Sequence, residues 1–164
     1  DALKGLCLFN STAKPDTEEK VKFRNRAIQV VKRNHEMFIK EAIPNLFVNK
    51  NTAALRGAIR RVINTALKTP KQGVLADLEG MKVRPDREII LRFAPYPVLC
   101  VAGKKDLVVR WRDLKAQSEL CADGSFHLSE KGGHMCFYED KYPCLKVLEK
   151  FIIRCYVKPR KQLD

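Results

Sequence analysis

Short continuous apolar runs alternate with helical spacings along this chain. Leu6-Cys7-Leu8-Phe9 is an unbroken apolar run closed by Asn10 and Ser11. Flanked in this way, it predicts a strand buried on both faces, the type found in parallel sheets. Asp16 offers a helix N-cap, with Glu19 three residues on. Val21, Ile28, Val31, Phe38, Ile39, Ala42 and Ile43 then keep to one helical face, and Pro44 is expected to stop that helix. A second helix is expected from Thr52 to Lys68, with Leu55, Ile59, Val62, Ile63 and Ala66 inward. A third opens with Pro70 at its first position and turns Val74, Leu75, Leu78 and Met81 inward. Arg84-Pro85-Asp86 ends this stretch, and a short helix near Arg87 to Phe93 leads to Pro95 and Pro97.

The pattern changes after Pro97. Val98 to Ala102, closed by Gly103, predicts a second buried strand. Trp111–Leu120 predicts a helix, Ser125–Leu128 a third strand, and Tyr142–Tyr156 an amphipathic helix with Leu145, Leu148, Phe151 and Ile152 on its apolar face. The order is strand, several helices, strand, helix, strand, helix. It implies an α/β fold: a partial parallel sheet of about three strands with an all-helical insertion after the first. The expected divisions are residues 1–15 for the first strand and its loop, 16–95 for the helical insertion, and 96–164 for the remaining core.

Composition narrows the classes. The 164 residues are 45% hydrophobic and 31% charged, which suits one folded domain and excludes wholesale disorder. No apolar run reaches the roughly 20 residues needed to span a bilayer, so no membrane association is expected. Lys and Arg number 32 against 19 Asp and Glu, a formal charge of +13. Residues 1–95 carry 19 cations against 10 acids and residues 96–164 carry 13 against 9, so the excess is spread. Its densest cluster is Lys158-Pro159-Arg160-Lys161. Without a nucleic-acid-binding motif, and with aromatics at only 8%, a solvated basic surface is the expectation and nucleic acid is not an expected partner. Six cysteines show no C-x-x-C pair and no zinc spacing. They read as reduced thiols in a cytoplasmic protein without metal or cofactor. The start at Asp1, without a signal peptide and a few residues ahead of an apolar run, reads as a processed, cut or engineered piece.

Chemistry is expected beyond the carboxyl ends of the strands. Asp106 lies in the loop after the second strand, and His134 follows Gly132-Gly133 after the third. If these strands are neighbours, a carboxylate and an imidazole share one rim, the orienting half of a nucleophilic triad. Taken singly, both are also ordinary turn residues. His35 reads as a surface residue or one packed within the helical insertion, and His127 as structural. Arg110-Trp111-Arg112 reads as a solvated helix start that could also bind an anion or place an Arg on Asp106. Asn10-Ser11-Thr12 matches a glycosylation sequon.

Several segments together resemble the C-terminal part of an α/β hydrolase of the serine type. They are Gly5 to Ser11, Arg26-Ala27-Ile28, Ile43 to Phe47, Gly80 to Arg87, Pro97 to Asp106, and Gly132-Gly133-His134-Met135 with Glu139 five residues on. The resemblance covers about residues 3–153. It implies a truncated form of that fold, with the helices as a cap, Asp106 as triad acid and His134 as general base. The family's G-x-S-x-G elbow, which places the nucleophilic serine, is absent from these residues. Ser11, Ser118, Ser125 and Ser129 lack the flanking glycines, and Cys136 would need a lowered thiol pKa to act instead. The resemblance puts the missing parts ahead of Asp1. It implies hydrolysis of a small ester-type substrate only when the chain is complemented. The expected partner is an N-terminal half or a second copy of the chain, because the first strand would otherwise keep a bare edge. The alternatives are a non-catalytic, self-associating derivative of the fold and a basic binding module.

Overall fold

A computed structural model describes residues 3–48, 50 and 52–156. The Lys158–Lys161 cluster lies outside them. The described residues form two compact units, one from residues 3–12 and 88–156, the other within residues 13–87.

The first unit holds the sheet. Strands β1 (Leu6–Phe9), β2 (Val98–Gly103) and β3 (Gly124–Ser129) run parallel in the order β1-β2-β3. The register sets Leu6 against Val98, and Val98 against Gly124. β2 is buried at every position, as a continuous apolar run in the middle of a parallel sheet requires. On one side Leu99 and Val101 join Cys136, Cys144 and Phe151 in a core cluster, with Cys7 and Phe9 packed against it. Each such fully buried Val or Leu contributes about 1.5–3 kcal/mol. Cys144 and Phe151 come from the closing helix α8 (Lys141–Tyr156).

The second unit is helical: α1 (Glu18–Arg33), α2 (His35–Ala42), a 3-10 turn (Ile43–Leu46), α3 (Ala53–Ala66) and α4 (Lys71–Val83). Ala27, Ile28 and Val31 of α1 pack on Leu78 of α4, on the face that the apolar spacing outlines. Three details differ from the sequence reading. The expected first helix breaks at Asn34, whose extended backbone (φ −152°, ψ 93°) ends α1 while its side chain accepts from the Met37 N–H, 3.0 Å away, and caps α2. An Asn that can satisfy a new helix start competes well with continuing the old one. Thr17 rather than Asp16 caps α1, and Asp16 instead pairs with Arg24 at 3.0 Å. Pro44 does not stop the chain's coiling but sits early in the 3-10 turn, where a missing N–H costs nothing. The short helix α5 (Glu88–Arg92), with Leu91 buried, falls in the sheet unit rather than the helical one.

After β2 come α6 (Trp111–Leu120), β3, and a short helix, α7 (Cys136–Glu139), that periodicity does not reveal. Among the described residues no helix is long and apolar enough to cross a membrane.

Candidate active site

The parallel register brings three carboxyl ends to one rim, Phe9 beside Val101 and Gly103 beside Ser129. The segments leaving them carry Asn10, Asp106 and His134. Two backbone bonds join the last two loops, Lys104 N–H to Ser129 O at 2.9 Å and Lys105 N–H to Gly132 O at 3.0 Å. The approach is so close that a Cβ on Gly103 would stand 2.1 Å from the Gly133 carbonyl oxygen. Only glycine admits that approach.

Asp106 and His134 meet here, with Asp106 Oδ2 3.0 Å from His134 Nδ1. The Asp106 side chain is almost fully buried, while His134 keeps about a quarter of its side chain open. Oδ1 accepts from the backbone N–H of Val108 at 2.7 Å and of Val109 at 3.0 Å. Oδ2 also accepts from Asn10 Nδ2 at 3.0 Å. Burial alone would push the carboxyl pKa up. The His134 hydrogen bond and its charge, with the Val109 N–H and the Asn10 amide, outweigh this and hold it below the usual value. An ionised carboxylate only accepts, so His134 Nδ1 carries the proton. With the proton on Nδ1, the ring turns Nε2 away from Asp106, and Nε2 has no hydrogen-bond partner among the described residues.

From the sequence, Asn10 is only a strand terminator and sequon residue, yet it ties the site together. It stands at φ +45°, the one positive-φ residue other than glycine among the described residues. Its amide N–H groups reach Asp106 and the Gly133 carbonyl, the latter at 3.1 Å, and its Oδ1 accepts from Cys136 Sγ at 2.8 Å. Asn is among the few residues that enter this backbone region readily, and an Asn closing an apolar strand was the available signal. Glu139 supports the other loop, its Oε2 accepting from the Gly133 N–H at 2.6 Å. Ser129 Oγ accepts from the Gly132 N–H at 3.1 Å and donates to Asp140 at 2.7 Å.

The remaining candidates do not join the pair. Ser118 Oγ donates to the Lys115 carbonyl and Ser125 Oγ to the Val98 carbonyl, and Ser11 is exposed just past Asn10. The Cys136 thiol is buried beside Cys144, 3.8 Å away, and that neighbour and its burial push its pKa up, so it stays a thiol. Burial likewise pushes Cys7 to about 11 and Cys100 to about 12. Arg110 pairs with Asp113 at 3.6 Å and Arg112 lies over the Trp111 ring, so neither turns to Asp106. His127 occupies β3 opposite Val101, and His35 opens α2.

No protein-family model and no curated protein matches the chain. Solved structures do. A thermophilic esterase from Thermogutta terrifontis superposes with a TM-score of 0.83 at 23% identity, covering 96% of this chain and 58% of that one. An enol-lactonase from Burkholderia xenovorans LB400 gives 0.76 at 16%, covering 91% and 55%. An α/β hydrolase enzyme from a Medee basin deep-sea metagenome library gives 0.75 at 13%, covering 97% and 58%. The fold is therefore that of the α/β hydrolases. The chain spans less than three fifths of the length of these structures and represents the C-terminal part of that fold.

Proposed function

We propose that the chain is the acid-and-base portion of a Ser-His-Asp hydrolase acting on esters of small molecules. The observation that carries this reading is the 3.0 Å approach of Asp106 Oδ2 to His134 Nδ1 on the rim of a parallel sheet. Asp106 fixes the ring's tautomer and stabilises the imidazolium. His134 Nε2 takes the proton from a serine hydroxyl as it attacks the ester carbonyl, then delivers it to the leaving alkoxide. These 164 residues contain no G-x-S-x-G elbow, so in this reading the serine and its oxyanion donors are supplied by a complementing segment and the chain alone is inactive. Two of the similar structures, an esterase and an enol-lactonase, agree with acyl chemistry. Six free thiols agree with a reducing, cytoplasmic setting.

The partner in this reading is the remainder of the fold, laid along β1. Among the described residues β1 pairs on one side only, with β2, and a bare apolar edge is a template for another strand. The same edge favours a second reading, a non-catalytic chain that pairs with its own copy.

The test is turnover of p-nitrophenyl butyrate by the chain alone and by a protein that carries a G-x-S-x-G segment ahead of residue 1. The chain alone is expected to be inactive. In the joined protein, His134→Ala is expected to lower kcat about 10³-fold or more. Unchanged turnover in the joined His134→Ala protein would overturn the assignment.

A further inference from the structure

The helical unit contains an open cavity of about 310 Å³ between the Ile43–Leu46 turn and α3. That is the lower end of the roughly 300–1,000 Å³ typical of ligand sites. Its floor is Pro44, Ile59 and Ile63, and its rim is Lys50, Arg56 and Arg60. Ile59 is 8% exposed, so the apolar floor is fixed by the packing of α3.

The charge pattern is one-sided. Between Glu41 and Asp77 the sequence holds Lys50, Arg56, Arg60, Arg61, Lys68 and Lys71 and no acid. Arg56 and Arg60 are four residues apart on α3, a like-charge spacing that weakens a helix by a few tenths of a kcal/mol. Neither has an ion-pair or hydrogen-bond partner among the described residues. Elsewhere on these helices the usual remedy is present, as in Lys40 with Glu36 and Lys82 with Glu79. Lys50 is steered rather than neutralised: its Nζ donates to Asn45 Oδ1 at 2.7 Å, and Asn45 is anchored through its own amide to the Glu41 carbonyl at 2.9 Å. Three cations around an apolar floor match a ligand with a negative head and an aliphatic body.

We propose that this cavity binds an anionic amphiphile, an aliphatic chain ending in a carboxylate. Arg56 and Arg60 take the carboxylate, Lys50 adds a third positive charge, and Ile59, Ile63 and Pro44 hold the chain. The site belongs to the helical unit alone and does not depend on the hydrolase reading.

Isothermal titration of the chain with decanoate, below its micellar range, tests this. Acetate supplies the head without the body, and decyltrimethylammonium supplies the body with the opposite charge. Decanoate is expected to bind, with both controls at least tenfold weaker. The double variant Arg56→Glu/Arg60→Glu is expected to lose about tenfold or more in affinity. Both arginines are exposed and the like-charge spacing is kept, so its urea midpoint is expected to stay close to that of the unaltered chain. Ile63→Gln, which keeps the charges, is expected to weaken decanoate and leave acetate unchanged. Equal decanoate affinity in the charge-reversed variant, equal binding of acetate and decanoate, or equal binding of decyltrimethylammonium would each overturn the proposal.

Discussion

At Asp106 a carboxylate withdrawn from water is matched by four donors: two backbone N–H groups, the Asn10 amide and the His134 ring. Asn in its place would set an NH₂ against donors on one side. Asp106→Asn is therefore expected to lower stability at pH 7 by about 1–3 kcal/mol, read by urea unfolding. The sign of the pH dependence follows from the depressed carboxyl pKa. Stability contributed by Asp106 is complete above the ordinary value near 3.8 and is lost as pH falls through the lower folded value. Acidification below about pH 4 is thus expected to destabilise the unaltered chain more steeply than the Asn variant. Asn10 makes a related case. Asn10→Gly and Asn10→Ala both remove the bonds to Asp106, Gly133 and Cys136. Ala adds the steric cost of φ +45°, about 1–2 kcal/mol. Thermal unfolding is expected to rank the unaltered chain above the Gly variant and the Gly variant above the Ala variant.

Among the elements, the loops after β2 and β3 act as one unit because Gly103 lets them touch. Gly103→Ala would place a methyl group 2.1 Å from the Gly133 oxygen and force Asp106 and His134 apart. A stability loss of about 3 kcal/mol is expected, and a structure of the variant is expected to show the Asp106–His134 hydrogen bond broken. The three strands were legible because their apolar runs are unbroken, and α4 because its inward face repeats cleanly. The break at Asn34 was not, since the apolar spacing runs through it and a side-chain cap leaves no trace in periodicity. Helix α7 was hidden for a different reason: four residues carry too little period to read. Asp106 and His134 could be singled out because each follows a strand and a glycine. What could not be read was the tether between them, because Asn10 lies 96 residues from Asp106 and meets it only through the register of β1 on β2.

On the scale of the whole molecule, the sheet unit leaves much apolar surface open. Leu107, beside Asp106, is 94% exposed, and on α8 Tyr142, Leu145, Ile152 and Tyr156 form an exposed stripe at heptad-like spacing. Patches of this kind mark interaction surfaces. With β1 paired on one side only among the described residues, they fit a chain that spans less than three fifths of the length of the similar structures. The chain alone is expected to associate as concentration rises, by light scattering. Ile152→Glu/Tyr156→Glu is expected to weaken that association without lowering the unfolding midpoint, since both side chains are exposed. A monomer at every concentration would argue against an uncovered apolar face.

Nitrogen-15 NMR of the His134 ring in alkaline buffer addresses the pairing of Asp106 with His134 without needing a serine. If Asp106 orients the ring, the proton resides on Nδ1 with Nε2 bare, and Asp106→Asn shifts the population toward the other tautomer. A proton found on Nε2, or a tautomer ratio indifferent to Asp106→Asn, would contradict the assignment of His134 as a base held by Asp106.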